Sequence, residues 1–215
     1  MSSFTGLSLV SSLVYTILVR APPSLARTIS KTGATALLSV HAFSSNAPFT
    51  LAAALGLGSL GDYFLSYAGE TAFLRGLASF LVAHLFYIGL FAQNGAGYKK
   101  IFSQTWRIAA LVVMLLLAPV MNTLLMPNVS STLQIPIQLY SATIFIMVLS
   151  VLTVENATVV LGGLVFAVSD AILSTDEFLI PPESIHRVWM QYSVWFLYYG
   201  GQYLIAKGFG EKHIG

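Results

Sequence analysis

Long apolar segments, separated by short polar connections, restrict the folds that are open to this sequence. A helix needs about 20 mostly apolar residues to cross the hydrocarbon core of a bilayer, with a range of roughly 17–25. Eight segments approach that length, and connections rich in Pro, Gly and Asn separate them. We predict helices over the ranges 4–19, 29–45, 49–67, 71–92, 106–126, 133–153, 157–175 and 187–207.

The composition agrees with a membrane-embedded chain. Charged residues make up 8% of the 215 residues and hydrophobic residues 56%, whereas a soluble domain carries about 25% charged residues. So few charges cannot cover the surface of a soluble globule of this size. The sequence therefore predicts an all-α, polytopic membrane helix bundle with about eight transmembrane helices. No connection is long enough for a soluble domain, so we expect residues 1–215 to form a single transmembrane domain.

Charge and cysteine content exclude several classes of function. The net charge of +2 is too small to indicate a nucleic-acid partner, and the absence of cysteine excludes thiolate catalysis. The first apolar run begins near Phe4 without a preceding basic stretch, so we expect a retained helix and not a cleaved signal. We expect a multi-pass integral membrane protein surrounded by membrane lipids. Its short loops are compatible with the endoplasmic reticulum if the source is eukaryotic.

Two aspartates lie inside apolar runs of similar sequence. Asp62 lies in GSLGDYFLS and Asp170 in FAVSDAILS, about half a chain length apart. A charge at the centre of a membrane helix costs at least about 2.5–3.5 kcal/mol on insertion scales, so an intramembrane aspartate indicates function. The alternative is a pair of hydrogen bonds that lock helices together. Each aspartate lies in the third helix of a set of four, which suggests a parallel four-plus-four repeat with both carboxylates at similar depth.

Further polar side chains lie in or near the predicted helices and are candidates for substrate binding. They are Lys31, Arg75, His84, Tyr140, Tyr198 and Gln202. Each has a structural alternative, because basic residues near helix ends often extend to lipid headgroups and a buried histidine often only joins helices. The histidines and aspartates lack the spacing of a metal site. We therefore predict no metal and no cofactor.

Four of these segments carry motifs that can be compared with known families. They read G-D-x-x-L in LGLGSLGDYFLS, F-x-x-G-x-x-x-F-x-x-x-H-x-x-Y in FLRGLASFLVAHLFYIGLF, G-x-x-x-F-x-x-S-D in GGLVFAVSDAILS and Y-x-x-x-Q in WFLYYGGQYLIAKG. Together they resemble the YhhN, or lysoplasmalogenase, family of multi-helix membrane proteins. Lys31 and Tyr140 also match family positions, and the resemblance covers roughly residues 31–207. The family often has proline after this lysine, whereas Thr32 follows it here.

The resemblance implies hydrolysis of the vinyl-ether bond of a lysophospholipid, a lysoplasmalogen, with Asp62 and Asp170 as the catalytic residues. The products would be a fatty aldehyde and glycerophospho-ethanolamine or -choline. The residues fit this chemistry, because a carboxylic acid kept protonated by an apolar site could protonate the β-carbon of the vinyl ether. A second, ionised carboxylate could stabilise the resulting cation or activate water. The sequence leaves open which aspartate is the acid.

The other candidates take supporting roles under this hypothesis. Lys31 and Arg75 could hold the phosphate, while Tyr140 and His84 position the substrate. Two alternatives stay open on the sequence. One is a small-molecule or proton-coupled transporter, because intramembrane Asp, Lys and His also form proton relays and parallel repeats suit transport. The other is a non-catalytic lysolipid-binding membrane protein.

Overall fold

The fold is a bundle of helices joined by short connections. A computed structural model of the chain describes residues 3–210. The helices in that range are α1 Ser3–Leu18, α2 Leu25–Ser44, α3 Phe49–Phe64, α4 Glu70–Asn94, α5 Lys99–Phe102, α6 Thr105–Leu125, α7 Ser131–Val151, α8 Ala157–Phe178 and α9 His186–Gly210, with a 3-10 turn at Met126–Asn128. The all-α prediction is confirmed.

The helix ends differ from the prediction in ways that matter for function. Helix α2 begins four residues earlier than expected because Ser24 caps it, its hydroxyl accepting a hydrogen bond from the backbone N–H of Arg27 at 3.3 Å. Helix α8 continues to Phe178, which brings Asp176 onto a helix. The four-residue α5 was not predicted, because so short a segment carries no helical periodicity.

Four helical segments are long and apolar enough to cross a membrane, judged by length and composition. They are Glu70–Asn94, Thr105–Asn128, Ser131–Val151 and Ala157–Phe178, and Ser3–Leu18 is a shorter apolar helix. Helix α6 lies at the periphery, since most of its apolar stretch faces outward. These helices agree with a polytopic membrane bundle, while the number of eight crossings and the internal repeat stay predictions.

Close helix contacts bring the two aspartate-bearing helices toward one interior. Helix α3 packs between α2 and α4, helix α8 packs along α9, and α4 contacts α7. Glycines permit the closest approaches: a Cβ on Gly162 of α8 would lie 2.8 Å from the backbone oxygen of Gly201 on α9. A Cβ on Gly61 of α3 would lie 2.6 Å from the ring of Phe80 on α4. Such small residues let membrane helices pack backbone to backbone.

A buried arginine ties helix α6 to the connection between α7 and α8. Arg107 is 1% exposed. Its Nη1 donates hydrogen bonds to the carbonyl oxygens of Leu152 at 2.5 Å and Val154 at 2.8 Å, and its Nε donates to Gln104 Oε1 at 2.8 Å. Because the last carbonyls of a helix have no partner within the helix, a cation at the end of α7 satisfies them and favours the helix dipole.

Candidate functional site

A cavity of about 590 Å³ lies at the end of the bundle where α2, α4 and α9 begin and α3 and α8 end. Its volume is in the range typical of small-molecule sites. Both sequence-identified aspartates line it. Its charged lining residues are Arg27, Lys31, Asp62, Glu70, Asp170, Asp176, Glu177 and Arg187. The cavity therefore combines cations and carboxylates in a bundle that is otherwise apolar.

Asp62 is surrounded by hydrogen-bond donors and a cation. The side chain is 1% exposed. The hydroxyl of Tyr198 donates to Asp62 Oδ2 at 2.7 Å, and the hydroxyl of Thr35 lies 3.2 Å from the same oxygen. The ammonium of Lys31 lies 3.3 Å from Oδ1. Because an ionised carboxylate only accepts hydrogen bonds, this set of partners fits Asp62 as an anion.

The sequence of α2 and α3 explains this arrangement locally. Lys31 and Thr35 are four residues apart on α2, so they share one face of the helix. The hydroxyl of Ser59 on α3 donates to the backbone oxygen of Thr32 at 2.9 Å and holds that face against α3. One turn before the aspartate, a Cβ on Gly58 would lie 3.3 Å from the hydroxyl of Tyr198. The absence of a side chain there leaves room for Tyr198 to reach Asp62.

Asp170 has a different set of partners. The side chain is 6% exposed. The hydroxyl of Tyr140 on α7 donates to Asp170 Oδ2 at 3.2 Å, and Nε2 of His84 on α4 lies 3.4 Å from the same oxygen. Tyrosine and histidine therefore hold Asp170 from two helices, and no ammonium or guanidinium pairs with it among the described residues.

A backbone carbonyl orients the His84 ring toward Asp170. His84 Nδ1 lies 2.6 Å from the backbone oxygen of Phe80, which can only accept, so Nδ1 carries a hydrogen. In a neutral imidazole, Nε2 is then an acceptor, and it would face an acceptor on a carboxylate. Nε2 has no hydrogen-bond partner among the described residues and lies 3.4 Å from Asp170 Oδ2, so a proton between the two groups would complete a hydrogen bond. The Asp170–His84 pair is thus able to hold and release a proton.

Comparison with known proteins agrees with the motifs around these residues. Residues 26–209 match the model of the YhhN family. The chain belongs to the YhhN family. Two curated relatives are called "Lysoplasmalogenase", one from Mycobacterium bovis (strain ATCC BAA-935 / AF2122/97) and one from Mycobacterium tuberculosis (strain CDC 1551 / Oshkosh). Each is 28% identical over 163 residues, which cover 74% of this chain and 59% of the relative. No solved structure gives a significant match.

The YhhN-family bundle brings most of the sequence-identified residues together and leaves one apart. Lys31 and Tyr198 contact Asp62, while His84 and Tyr140 contact Asp170. Behind them, fully buried Gln202 accepts a hydrogen bond at Oε1 from the hydroxyl of Tyr87. A Cβ on Gly58 would lie 3.4 Å from Gln202 Nε2 and 3.3 Å from the Tyr198 hydroxyl. Both side chains therefore pack against Gly58, with Gln202 on the side of Tyr198 that faces the core.

Arg75, which the sequence placed among the anion-binding candidates, lies outside the cavity. It is exposed on α4 and does not line the cavity wall. The neighbouring Gly76 explains the direction in which the Arg75 side chain points. Gly76 faces α3, where an added Cβ would lie 2.7 Å from Leu65, and successive residues of a helix point about 100° apart. Arg75 therefore projects away from the α3–α4 contact.

Arg27 is a cavity residue that the sequence analysis missed. Its Nη2 donates to the backbone oxygen of Val19 at 3.2 Å, and its guanidinium carbon lies 5.9 Å from the centre of the Tyr15 ring. The predicted helix began at residue 29, so Arg27 was assigned to a connection. Its spacing of four residues from Lys31 was a usable signal, because residues so spaced share a helix face. Together the two side chains form a basic wall on α2.

An ion pair joins α8 to α9 within the cavity wall. Arg187 Nε donates to Asp176 Oδ1 at 3.0 Å, and Arg187 Nη2 donates to Asp176 Oδ2 at 3.4 Å. Its Nη2 also lies 3.8 Å from Glu177 Oε2. The two hydrogen bonds pair the opposite charges and hold the start of α9 against the end of α8. No local pattern in the sequence signals this pair, since its partners come from two helices.

An apolar groove of about 80 Å³ adjoins the cavity between α4, α6, α7 and α8. Most of its lining is aliphatic. These side chains include Leu77, Met114, Leu117, Met121, Ile137 and Ile144. Asp170 and Phe80 line both the groove and the cavity. Asp170 of this YhhN-family chain therefore lies at the junction of a polar space and an apolar one.

Proposed function

We propose that this protein is a membrane-embedded lysoplasmalogenase that hydrolyses the vinyl-ether bond of lysoplasmalogens to a fatty aldehyde and glycerophospho-ethanolamine or -choline. The observation that carries the proposal is a single cavity lined by two buried aspartates with different partners. Asp62 has donors and a cation, whereas Asp170 contacts a tyrosine hydroxyl and a histidine ring. The printed name of two relatives agrees with this activity. The chain spans about 59% of the length of those relatives.

Asp170 is the proton donor in this mechanism. Its O–H bond breaks as the electron pair of the vinyl-ether double bond forms a C–H bond at the β-carbon, which leaves an oxocarbenium-like cation. The contact with His84 supports this role, because an imidazole nitrogen 3.4 Å away can exchange a proton with the carboxyl group. The position of Asp170 supports it as well, because the β-carbon belongs to the hydrocarbon chain and Asp170 borders the apolar groove. The proton released when water adds can then return to Asp170 through the imidazole for the next cycle.

Asp62 acts on the other side of the reacting bond. As an anion it stabilises the cation electrostatically and accepts a proton from the water that adds to the α-carbon. The resulting hemiacetal collapses as its hydroxyl gives up a proton and forms the aldehyde C=O bond, while the C–O bond to glycerol breaks and the glycerol oxygen takes up a proton. One water is consumed for each bond cleaved. The division of labour between an acid and an ionised carboxylate is analogous to that in glycoside hydrolases.

The basic wall of α2 supports binding of the phosphate. Arg27 and Lys31 lie one helical turn apart and line the cavity near Asp62. Among the described residues no carboxylate pairs with Arg27, whereas Arg187 is neutralised by Asp176. Arg27 therefore has charge available for an anionic ligand, and a guanidinium can bind phosphate through two hydrogen bonds.

The proposal is tested by incubating the purified protein with a 1-alkenyl lysophospholipid in detergent and measuring the fatty aldehyde. The matched control substrate is the 1-alkyl lysophospholipid, which lacks the double bond that accepts the proton. We expect aldehyde from the alkenyl substrate and no cleavage of the alkyl ether. A folded protein that releases no aldehyde, as a transporter or a lysolipid-binding protein would, contradicts the proposal. Equal cleavage of both ethers contradicts the protonation step.

A further inference from the structure

We infer that the apolar groove between α4, α6, α7 and α8 binds the hydrocarbon chain of the lysolipid and thereby aligns the reacting carbon with Asp170. The inference rests on the proposed function, because it assigns a second part of the same substrate to a second part of the site. The occupant is an amphiphile with a single chain. Its headgroup lies in the 590 Å³ cavity and its chain lies in the groove.

The lining of the groove matches a hydrocarbon chain in chemistry. Met114, Leu117 and Met121 follow one another on the inward face of α6, at the spacing of successive helical turns. Ile137 and Ile144 face them from α7. The groove has much less free volume than the cavity, about 80 Å³ against 590 Å³. A slender alkyl chain fits such a space, whereas a zwitterionic headgroup would lose its hydration there.

The junction of the two spaces sets the direction in which the substrate lies. Asp170, Phe80 and Phe178 line both the cavity and the groove. In an alkenyl lysolipid the vinyl ether is also a junction, because it joins the polar glycerophosphate to the chain. When the headgroup lies in the cavity and the chain in the groove, the double bond is placed at Asp170. This orientation matches polar with polar and apolar with apolar.

The groove has to act by positioning and not by adding affinity. A chain that leaves the bilayer for the groove exchanges one apolar environment for another, so no hydrophobic gain accompanies the transfer. Helix α6 forms one wall and lies at the edge of the bundle, with its outer face exposed. The groove contributes to catalysis by aligning the reacting carbon with Asp170. The appropriate test therefore measures which residues the lipid chain contacts.

The test uses hexadecylphosphocholine with a diazirine in its chain, photolysed with the purified protein and mapped by mass spectrometry. The blocking variant is Ala118→Phe, since Ala118 lines the groove from α6. The control is Ala109→Phe, the same change on the exposed side of the same helix. We expect labelling of peptides that contain Met114 and Ile144, with suppression by excess unlabelled lipid. Ala118→Phe should reduce that labelling roughly tenfold, because the added ring occupies space that the lipid chain would take, and Ala109→Phe should leave it unchanged.

Ser141→Leu blocks the groove from α7 and provides a second test if Ala118→Phe does not fold. Labelling that stays unchanged in a folded blocking variant, or that falls only on outward residues of α6 such as Val113, overturns the groove assignment. The groove assignment and the proposed activity can be refuted independently of each other. Aldehyde release without groove labelling overturns the groove and leaves the activity. Groove labelling without aldehyde release leaves a chain-binding groove and overturns the activity.

Discussion

The two tyrosines that contact the aspartates provide a test of which carboxylate is ionised. Tyr198 donates to Asp62 at 2.7 Å and Tyr140 donates to Asp170 at 3.2 Å. Replacing either tyrosine with phenylalanine removes one hydroxyl and keeps the ring. The two substitutions are chemically identical, so a difference between them reports on the state of the carboxylate that each tyrosine faces.

The expected magnitudes follow from the charge of the acceptor. A hydrogen bond to a charged group contributes about 1.5–3 kcal/mol, whereas one between neutral groups contributes about 0.5–1.5 kcal/mol. If Asp62 is an anion that must stabilise a cation, Tyr198→Phe should lower kcat/KM roughly 10- to 150-fold. If Asp170 carries a proton, Tyr140→Phe should lower kcat/KM only about 2- to 10-fold. The shorter distance at Asp62 agrees with this order.

The assay measures kcat/KM for aldehyde release from a 1-alkenyl lysophospholipid, with thermal unfolding recorded for each variant. Tyr192→Phe is the control, since Tyr192 lies on the same helix as Tyr198 and does not line the cavity. We expect the control to match the wild type. A larger loss in Tyr140→Phe than in Tyr198→Phe would refute the assignment, because it would show that the ionised carboxylate is Asp170.

Three further predictions concern stability and substrate binding. Arg107→Met should lower the free energy of unfolding by about 2–6 kcal/mol in a denaturation assay, because two carbonyls lose a buried partner at a cost of about 1–3 kcal/mol each. Gly61→Ala should destabilise by about 1–3 kcal/mol through its clash with a phenyl ring, whereas Gly89→Ala, with no atom within 4 Å, should stabilise the helix by about 0.5–1 kcal/mol. Arg27→Ala should raise KM by roughly tenfold or more through the loss of a charged contact to phosphate, while Arg75→Ala should leave the kinetics unchanged.

The sequence predicted the helices and the aspartates because both depend on local signals. The length of an apolar run determines whether a helix can cross a membrane, and a carboxylate inside such a run stands out by its cost. Asp62 and Asp170 both line the cavity, while their catalytic role stays a prediction. The assignment of Tyr198 to Asp62 and of Tyr140 to Asp170 could not be predicted, since each pair joins two helices whose rotation depends on packing.

Two arginines show the same limit of prediction from sequence. Arg75 and Arg27 both lie near the start of a helix, yet only Arg27 lines the cavity. The cap at Ser24 extends α2 and turns Arg27 inward, while the contact of Gly76 with α3 turns Arg75 outward. Neither direction follows from the apolar pattern alone, because a shift of two residues, about half a turn, reverses the direction in which a side chain points.

The central claim is that both cavity aspartates are required for cleavage of the vinyl ether. The most direct measurement is the rate of aldehyde release by Asp62→Asn and Asp170→Asn, with Asp176→Asn as the control because its carboxylate pairs with Arg187. Each of the first two substitutions should lower the rate by about 10²–10⁴-fold in a protein that still folds and inserts. Asp176→Asn should retain most of the activity. Near-wild-type cleavage by folded Asp62→Asn or Asp170→Asn would contradict the two-carboxylate mechanism.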